Sequence, residues 1–378
     1  MKTEVDFLLD LVGIPSVSSL SNGPVIDYVL AHLDASAWDT KLHTYRDPAG
    51  LEKVNLVAIS KSGGPRERAE LALVCHTDTV PFDPAWIEAV NPKISNGKLY
   101  GRGSCDVKGY LACILASISQ LKIATLSKQL AIILTADEEI GCVGAKYIAG
   151  WVAVRARYAI IGEPTGLRPV RAGKGYALAE IIVRGKEAHS AFPAQGHSAI
   201  YDAGRVLAAL ERVAKKLARR TIRDFDPPYT TLNAGLIQGG TAKNIVPGEC
   251  RITVEWRPIP GQDPAWAAEL IRGELARLKQ RHPGFQARLD VKRMDPPFEP
   301  AESEELAALV QSLARRRPTT VAFGTEAAHL QRLTSETIVF GPGNMATAHK
   351  SGECVPVAEL SKCVEVLTAV IKRLCGSS

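Results

Sequence analysis

Acidic and imidazole side chains at the ends of strongly apolar segments are the feature that most constrains the fold of this chain. Open α/β sheets build their sites from polar groups at the carboxyl ends of core strands. A chain that repeats this arrangement several times therefore predicts one sheet edge where these side chains meet. The residues concerned are His76, Asp106, Glu138, Glu139, Glu163 and His349.

The donor types of this set indicate a metal site. Imidazole nitrogens and carboxylate oxygens, without a cysteine thiolate, suit Zn²⁺ or a similar divalent ion. Two histidines with several carboxylates can hold two ions and activate water for hydrolysis. The residues therefore indicate a site for Zn²⁺ or a similar divalent ion that can hold two ions, and a hydrolytic function.

Neighbouring residues add to this chemistry. Asp78 points the same way as His76 in an extended segment, so it can hold the second ring nitrogen of that histidine. Adjacent Glu138 and Glu139 point in different directions, so one can bind metal while the other acts as a general base on water. The sequence therefore predicts both the ligands and the base of a hydrolase.

Each motif also has a structural explanation when it is taken alone. Asp106 precedes a predicted helix and could serve as its N-cap. The acidic run 137–139 is typical of a helix N-terminus, and a lone loop histidine such as His349 is more often structural. The conjunction of all these residues at predicted strand ends favours the metal site.

The order of the predicted elements indicates two domains, which suits a chain of 378 residues. Short apolar segments alternate with helical ones, which predicts an α/β domain with a mostly parallel sheet and helices on both faces. After Gly175 the predicted order becomes βαββαβ, typical of a ferredoxin-like α+β domain. We expect a discontinuous metal-binding catalytic domain over 1–174 and 294–378, with the second domain inserted over 175–293. The predicted strands of the first domain lie at 55–60, 71–75, 131–135, 158–161, 319–321 and 337–340.

Composition and local motifs argue against several functional classes. The net charge is +6, but the basic residues alternate with Ala, Val and Leu rather than with aromatic residues, which argues against a nucleic-acid partner. No apolar run of about 18 residues occurs, so we expect no membrane partner. The glycine-rich segment 101–109 lacks the dinucleotide fingerprint of an oxidoreductase. Eight scattered cysteines without a CxxC motif, and an N-terminus unlike a signal peptide, indicate the reducing cytoplasm.

Several segments resemble the di-zinc M20 family of amidohydrolases and aminopeptidases over almost the whole chain. The resemblance implies a zinc-exopeptidase-like catalytic domain in which Asp106 bridges two zinc ions. It also implies that His76 and Glu163 bind one ion, while Glu139 and His349 bind the other. The segments that carry it are HTDTVPFD (76–83), KLYGRGSCDVKG (98–109), TADEE (135–139), IIGEPT (160–165) and GPG followed by five residues and a histidine (341–349).

The resemblance further implies roles for residues that do not bind metal. Glu138 would be the general base and later the proton donor, and Asp78 would orient the first histidine ligand. The inserted domain would be a lid that forms a homodimer, and its His189 would reach the active site of the partner subunit and help to hold the oxyanion. Asn244 and Arg257 of the lid would contact the substrate carboxylate.

The implied substrate is a small N-acyl amino acid. The reaction would remove the acetyl group of N2-acetyl-L-ornithine and so belong to arginine biosynthesis, with Gly341 and Gly343 allowing the backbone to approach the substrate closely. N-acetylcitrulline deacetylation, succinyl-diaminopimelate desuccinylation, other aminoacylase or peptidase activities, and non-catalytic binding of an amino-acid derivative remain alternatives. The segment from His349 to Glu353 departs from the family pattern, which leaves the acyl group and the amino-acid side chain open.

Overall fold

The structure is a computed structural model, and it describes residues 2–64, 68–150 and 155–376. It divides into two compact units, one of residues 1–171, 300–319 and 325–378 and the other of 172–299 and 320–324. The strands are β1 (Trp38–Arg46), β2 (Glu52–Ser60), β3 (Ala69–His76), β4 (Lys93–Ser95), β5 (Lys98–Tyr100), β6 (Leu130–Thr135), β7 (Ala156–Ile161), β8 (Val170–Gly173), β9 (Tyr176–Arg184), β10 (Thr231–Gly239), β11 (Glu249–Arg257), β12 (Gln286–Asp295), β13 (Thr319–Val321), β14 (Thr334–Val339) and β15 (Cys354–Pro356). The helices are α1 (Glu4–Val12), α2 (Gly23–Leu30), α3 (Lys108–Ser119), α4 (Val143–Gly150), α5 (Ala199–Leu217), α6 (Ala265–Arg281), α7 (Glu305–Ala314), α8 (Ala327–Leu330) and α9 (Val357–Cys375).

The first unit is built around an eight-stranded sheet with the order β1-β2-β6-β3-β7-β14-β8-β13. Its four central strands, β6, β3, β7 and β14, run parallel to one another. β6, β3 and β7 are mostly apolar because helices cover parallel sheets on both faces. Every residue of β6 is buried. The predicted α/β class with a mostly parallel sheet is confirmed.

One edge of this sheet differs from the sequence prediction. β1 pairs antiparallel with β2, yet the sequence analysis assigned no strand to residues 38–46. The reason is that most side chains of β1 are exposed or only partly buried, so the segment WDTKLHTYR lacks the apolar pattern of a buried strand. The short strand β5 also lies in a segment to which the sequence analysis assigned no strand.

The parallel strands place the ends of three segments at one edge of the sheet. β3 ends at His76, β6 ends at Thr135 just before the acidic run 137–139, and β7 ends two residues before Glu163. Close packing at this edge depends on Gly162, because a Cβ at that position would lie 2.0 Å from the ring of Tyr110 in α3. The sheet topology therefore brings together side chains that are far apart in the sequence.

The second unit has the predicted βαββαβ order, formed by β9, α5, β10, β11, α6 and β12. Its antiparallel sheet has the order β10-β11-β9-β12, and α5 and α6 pack on it around a core of their own that includes the fully buried Trp256. This is the ferredoxin-like arrangement. β10 is an edge strand, and most of its residues are exposed.

The unit boundaries lie a few residues from the predicted ones, at 171/172 and 299/300 rather than 174/175 and 293/294. The second boundary lies later because β12 continues to Asp295 and because Phe298 exchanges two main-chain hydrogen bonds with Gly173. Segment 320–324 also belongs to the second unit, where the Lys174 N–H donates to the carbonyl of Val321. Across the described ranges, no helix is both long and apolar enough to cross a membrane.

Helix α7 begins at a cap supplied from elsewhere in the fold. The residue at its N-cap position makes no side-chain capping bond. Instead, the buried carboxylate of Glu336 in β14 accepts hydrogen bonds from the N–H groups of Leu306, at 2.8 Å, and Ala307, at 2.9 Å. Glu336 therefore satisfies two of the four free N–H groups at the start of the helix.

The substitution Glu336→Ala is expected to lower the free energy of unfolding by about 1–2 kcal/mol, because it leaves these buried N–H groups unpaired. Urea denaturation would measure the change. Glu302→Ala removes an exposed carboxylate near the same helix and should change the value by less than about 0.5 kcal/mol. Equal effects of the two substitutions would contradict the capping role.

Candidate metal centre

His76 presents a buried nitrogen without a hydrogen bond. It is the last residue of β3 and is 1% exposed. Its Nδ1 lies 3.0 Å from the main-chain oxygen of Asp78, so an N–H at Nδ1 leaves Nε2 with the lone pair. This Nε2 has no hydrogen-bond partner in the part of the chain that the structure describes. A buried lone pair of this kind suits a metal ion.

The carboxylate of Asp106 lies between two histidines. Its Oδ1 is 3.3 Å from His76 Nε2, although without hydrogen-bond geometry, and its Oδ2 is 3.1 Å from His349 Nε2. His349 Nε2 is also 3.2 Å from the carboxylate of Glu139. The ligating atoms of His76, Asp106 and Glu139 all lie within 4.8 Å of one another. Four of the five residues predicted to bind metal therefore form one cluster.

Glu163, the fifth predicted ligand, belongs to the same electrostatic environment. It is 4% exposed and follows β7 in the turn Gly162-Glu163-Pro164. Burial raises its pKa well above the usual range, and the charges of Asp106 and Glu138 raise it further. The negative charge of this carboxylate is therefore destabilised by its surroundings.

The other carboxylates of the cluster respond to burial in a similar way. Burial raises the pKa of Glu138 to about 8, and the charge of Glu139 adds to this effect. Burial also raises the pKa of Glu139. Burial alone would raise the pKa of Asp106 too, but the two histidines lower it below its usual range. A divalent cation among these groups would offset the repulsion between them.

The turn after β6 directs Glu138 and Glu139 into the site. Their main-chain N–H groups donate to the carboxylate of Asp78, at 3.0 Å and 3.3 Å. Asp78 was predicted to orient His76 through this carboxylate, but Oδ1 lies 3.7 Å from the ring and the closer contact is the main-chain oxygen. Asp78 therefore contacts His76 and also supports the turn that carries the predicted base.

The residues present fit a divalent metal centre. The donors are imidazole nitrogens and carboxylate oxygens, which is a typical zinc set. A buried His76 Nε2 without a hydrogen bond and three ligating atoms within 4.8 Å are the structural observations behind this fit. The position of Asp106 between two histidines is the one a bridging carboxylate would occupy, and the predicted bridging role stays a prediction.

Sequence reasoning missed Glu353, which holds the loop of Asp106. Glu353 is fully buried, and its Oε1 accepts the N–H groups of Cys105 and Asp106 at 3.0 Å and 2.9 Å. Its Oε2 pairs with Arg102 at 2.5 Å. Because α3 begins at Lys108 with Val107 at its N-cap, the alternative in which Asp106 caps this helix is wrong. The sequence marked Glu353 only as part of a segment that departs from the family pattern.

Glu326 is a second buried acid that sequence reasoning did not place at the site. It accepts a hydrogen bond from the hydroxyl of Thr135, the last residue of β6. Burial raises its pKa to about 7. The charge of His76 lowers this pKa, and the charge of Asp78 raises it. A glutamate before a short helix is typical of a helix N-terminus, so the local sequence gave no sign of this position.

In the second unit, His189 and Asn244 lie on adjacent segments. The main chain of His189 forms a bridge with Ile245, and the Ser190 N–H donates to the carbonyl of Asn244 at 2.9 Å. Both predicted lid residues are exposed. Arg257 ends β11, and its guanidinium lies 4.2 Å from the ring centre of Tyr176. Their roles towards a substrate stay predictions.

Gly341 and Gly343 make close approaches to the protein's own loops. A Cβ at Gly341 would lie 2.6 Å from the main-chain oxygen of Glu163, and one at Gly343 would lie 2.5 Å from Cys105 Sγ. The Gly343 N–H donates to Glu359 at 2.7 Å. These glycines therefore help to position the loops of Glu163 and Cys105, and their contact with substrate stays a prediction.

Comparison with known proteins gives a consistent result. Residues 72–373 match the profile described as peptidase family M20/M25/M40. The chain is 46% identical over 370 residues to an acetylornithine deacetylase of Myxococcus xanthus, covering 98% of this chain and 97% of that protein. It is 32% identical over 387 residues to an acetylornithine deacetylase of Proteus mirabilis (strain HI4320), covering 99% and 97%.

Solved structures share the fold at lower identity. A tripeptidase from Staphylococcus aureus superposes with a TM-score of 0.78 at 23% identity, covering 98% of this chain and 97% of that one. A dinuclear metal binding peptidase from Bacillus subtilis superposes with a TM-score of 0.64 at 14% identity, covering 98% and 97%. These likenesses confirm the fold.

Glu353→Ala is expected to lower the free energy of unfolding of the metal-free protein by about 3–5 kcal/mol, because it leaves the buried charge of Arg102 without a partner. Urea denaturation after chelation would measure this. Glu88→Ala removes an exposed partner of Lys93 and should cost about 0–1 kcal/mol. A loss from Glu353→Ala as small as that from Glu88→Ala would show that the pair does not hold the loop.

Proposed function

Because the chain belongs to peptidase family M20/M25/M40, we propose that its carboxylate–histidine cluster removes the acetyl group from N2-acetyl-L-ornithine, giving L-ornithine and acetate. The chain is a hydrolase that acts on amide bonds. The observation that carries the substrate assignment is 46% identity, over nearly the full length of both chains, to a curated acetylornithine deacetylase. Deacetylation of N-acetylcitrulline and desuccinylation of succinyl-diaminopimelate use the same chemistry on related substrates and are outcomes of the test below.

The proposed cofactor is a pair of Zn²⁺ ions, with Co²⁺ able to substitute. Asp106 would bridge them, His76 and Glu163 would hold one, and Glu139 and His349 would hold the other. Bound ions of this kind polarise an amide carbonyl and lower the pKa of water. The position of the Asp106 oxygens, 3.3 Å and 3.1 Å from the two histidine nitrogens, supports this assignment.

Glu138 would move the protons of the reaction. Its main chain is held by the carboxylate of Asp78, while its side chain is next to the ligand Glu139. The carboxylate would accept a proton from the attacking water and return it to the nitrogen of the leaving amino acid, so that the amide C–N bond breaks without releasing an amide anion. Proton balance is then complete within one residue.

The inserted unit would bind the substrate and form a homodimer. Asn244 and Arg257 would contact the substrate carboxylate, and a guanidinium fork suits that group. His189 would help to hold the oxyanion in the partner subunit. The edge strand β10 supports the dimer, because Leu236 and Ile237 are 62% and 52% exposed beside unpaired main-chain groups.

Cytoplasmic arginine biosynthesis is the proposed setting. The ornithine product supports it, as do eight buried cysteines that form no disulfide in the described part of the chain.

Initial rates on a panel of substrates test the proposed activity. The panel holds N2-acetyl-L-ornithine, N-acetyl-L-citrulline, N-acetyl-L-methionine, succinyl-diaminopimelate and a dipeptide, each assayed after chelation and again after addition of Zn²⁺ or Co²⁺. We expect the highest kcat/KM for acetylornithine, loss of activity on chelation and recovery with metal. A higher kcat/KM for another member would reassign the substrate, and metal-independent turnover would overturn the mechanism.

The adjacent glutamates provide a matched pair of variants. Glu138→Gln should lower kcat by at least about 10³-fold while both metal ions remain bound, because only the proton transfer is removed. Glu139→Gln should lower the metal content, because a ligand is weakened. Metal analysis of each purified variant, combined with kcat, would separate the roles. Loss of metal from Glu138→Gln would show that the two assignments are reversed.

Exposed leucines on two edge strands provide the test of the dimer. Leu236→Arg on β10 should give a monomer by light scattering, because a charge would be buried in the interface. Leu42→Arg changes a residue of similar exposure on the edge strand β1 of the first unit and should leave the dimer intact. A dimer that persists in Leu236→Arg but dissociates in Leu42→Arg would place the interface on β1 and contradict the proposed interface on β10.

A further inference from the structure

Lys53 places a buried positive charge next to Asp137, the residue before the predicted base Glu138. It lies in β2, and its side chain is 1% exposed. Its Nζ is 2.8 Å from Oδ1 of Asp137 and also donates to the carbonyls of Ser18, at 2.5 Å, and Leu20, at 2.9 Å. All three N–H donors of the ammonium group are therefore used.

Asp137 connects this charge to the turn that carries the base. Its side chain is 1% exposed, and its second oxygen accepts a hydrogen bond from Tyr45 at 2.8 Å. Its φ of +57° lies in the left-handed region, where a residue other than glycine needs support from its surroundings. The next two residues along the chain are Glu138 and Glu139. The contacts of the Asp137 carboxylate therefore help to fix the main-chain position of these two residues.

Ser18 closes the connection from the other side. Its carbonyl accepts from Lys53, and its hydroxyl donates to Oδ2 of Asp78 at 2.7 Å. The Asp78 carboxylate accepts the N–H groups of Glu138 and Glu139. Lys53, Asp137, the turn, Asp78 and Ser18 thus form a closed circuit of hydrogen bonds, and its four side-chain members are each no more than 6% exposed.

The circuit is a costly way to stabilise a fold. Burying an ion pair loses the solvation of both charges, and a well-packed apolar pair of similar size is often as stable. What the circuit supplies is geometry, because it holds the 137–139 turn from both sides. A misplacement of about 1 Å can reduce a catalytic rate by about 100-fold.

We propose that Lys53 and Ser18 are positioning residues of the hydrolytic reaction, which hold the 137–139 turn so that the base Glu138 and the ligand Glu139 face the centre together. Neither residue touches the substrate. The inference rests on the proposed function for its catalytic part. Its metal-binding part depends only on the placement of Glu139.

The main test is Ser18→Ala, which removes the hydrogen bond from the Ser18 hydroxyl to the Asp78 carboxylate but leaves Lys53 and Asp137 paired. We expect kcat to fall about 10-fold or more with KM changed less than about 2-fold, and the metal Kd from chelator competition to rise about 10-fold. Ser18→Thr, which keeps the hydroxyl, should recover most of both losses. Unchanged kcat and metal Kd in Ser18→Ala would overturn the proposal.

Ser117→Ala is the matched structural control. Ser117 is fully buried, and its hydroxyl donates to the carbonyl of Cys113 at 2.7 Å within α3, outside the circuit. It should lower the melting temperature as Ser18→Ala does, but change neither kcat nor the metal Kd. If it reduces both as much as Ser18→Ala, the effect is general destabilisation and the proposal is wrong.

A double-mutant cycle tests whether the circuit acts as a unit. Lys53→Met removes the charge at the opposite side, and Lys53→Met/Asp137→Asn removes both charges in case the single variant does not fold. Combined with Ser18→Ala, either change should reduce kcat by much less than the product of the separate effects. Full additivity would show that the residues act separately and would overturn the circuit.

The two proposals fail in different ways. If the unaltered protein hydrolyses none of the panel substrates, the proposed function fails. The metal Kd of Ser18→Ala still decides whether the circuit positions Glu139. If the unaltered protein is active and the variants have the same kcat and metal Kd as the unaltered protein, the proposed function stands and the positioning role is rejected.

Discussion

Repulsion among buried carboxylates is the interaction on which the rest of the structure depends. The parallel strands deliver Glu138, Glu139 and Glu163 to one sheet edge, and the loop before α3 adds Asp106. Burial makes the charged form of each of these carboxylates costly. Two histidines offset part of this cost through contacts with Asp106. The arrangement is unfavourable for a protein alone and favourable around divalent cations, which explains why an apolar sheet ends in so many acids.

A second set of carboxylates, Asp78 and Glu353, holds the main chain that carries the first set. Asp78 accepts two successive N–H groups of the turn at 138–139, and Glu353 accepts two successive N–H groups at 105–106. Each outer carboxylate therefore fixes a backbone segment that carries a predicted ligand or the predicted base. Charged acceptors form stronger hydrogen bonds than neutral ones, so the same residue type serves as ligand in one set and as support in the other.

The parts that the sequence predicted well are those with a local signature. Fully buried strands such as β6 are short apolar runs, and the polar residue after each run marks the carboxyl end of the strand. β1 escaped because its exposed side chains carry no such pattern. Glu353 and Glu326 were not predicted because their hydrogen-bond partners, Asp106 and Thr135, lie more than 180 positions away in the sequence. A local sequence pattern cannot reveal so distant a partner. Local pattern thus located most of the predicted ligands but not the residues that support them.

The separation between Asp106 and Glu353 has a consequence for how the protein matures. Their hydrogen bond joins positions 247 residues apart, and the inserted unit lies between them in the sequence. During synthesis the N-terminal strands β2, β3 and β6 emerge long before β14 and the segment 349–353. The entropic cost of closing a loop rises only slowly with its length, so the long separation costs little. The contact cannot form, however, until Glu353 has been synthesised. The loop of Asp106 is therefore secured only after segment 349–353 has been made, so until then a nascent chain presents the predicted metal ligands as an incomplete and loosely held set.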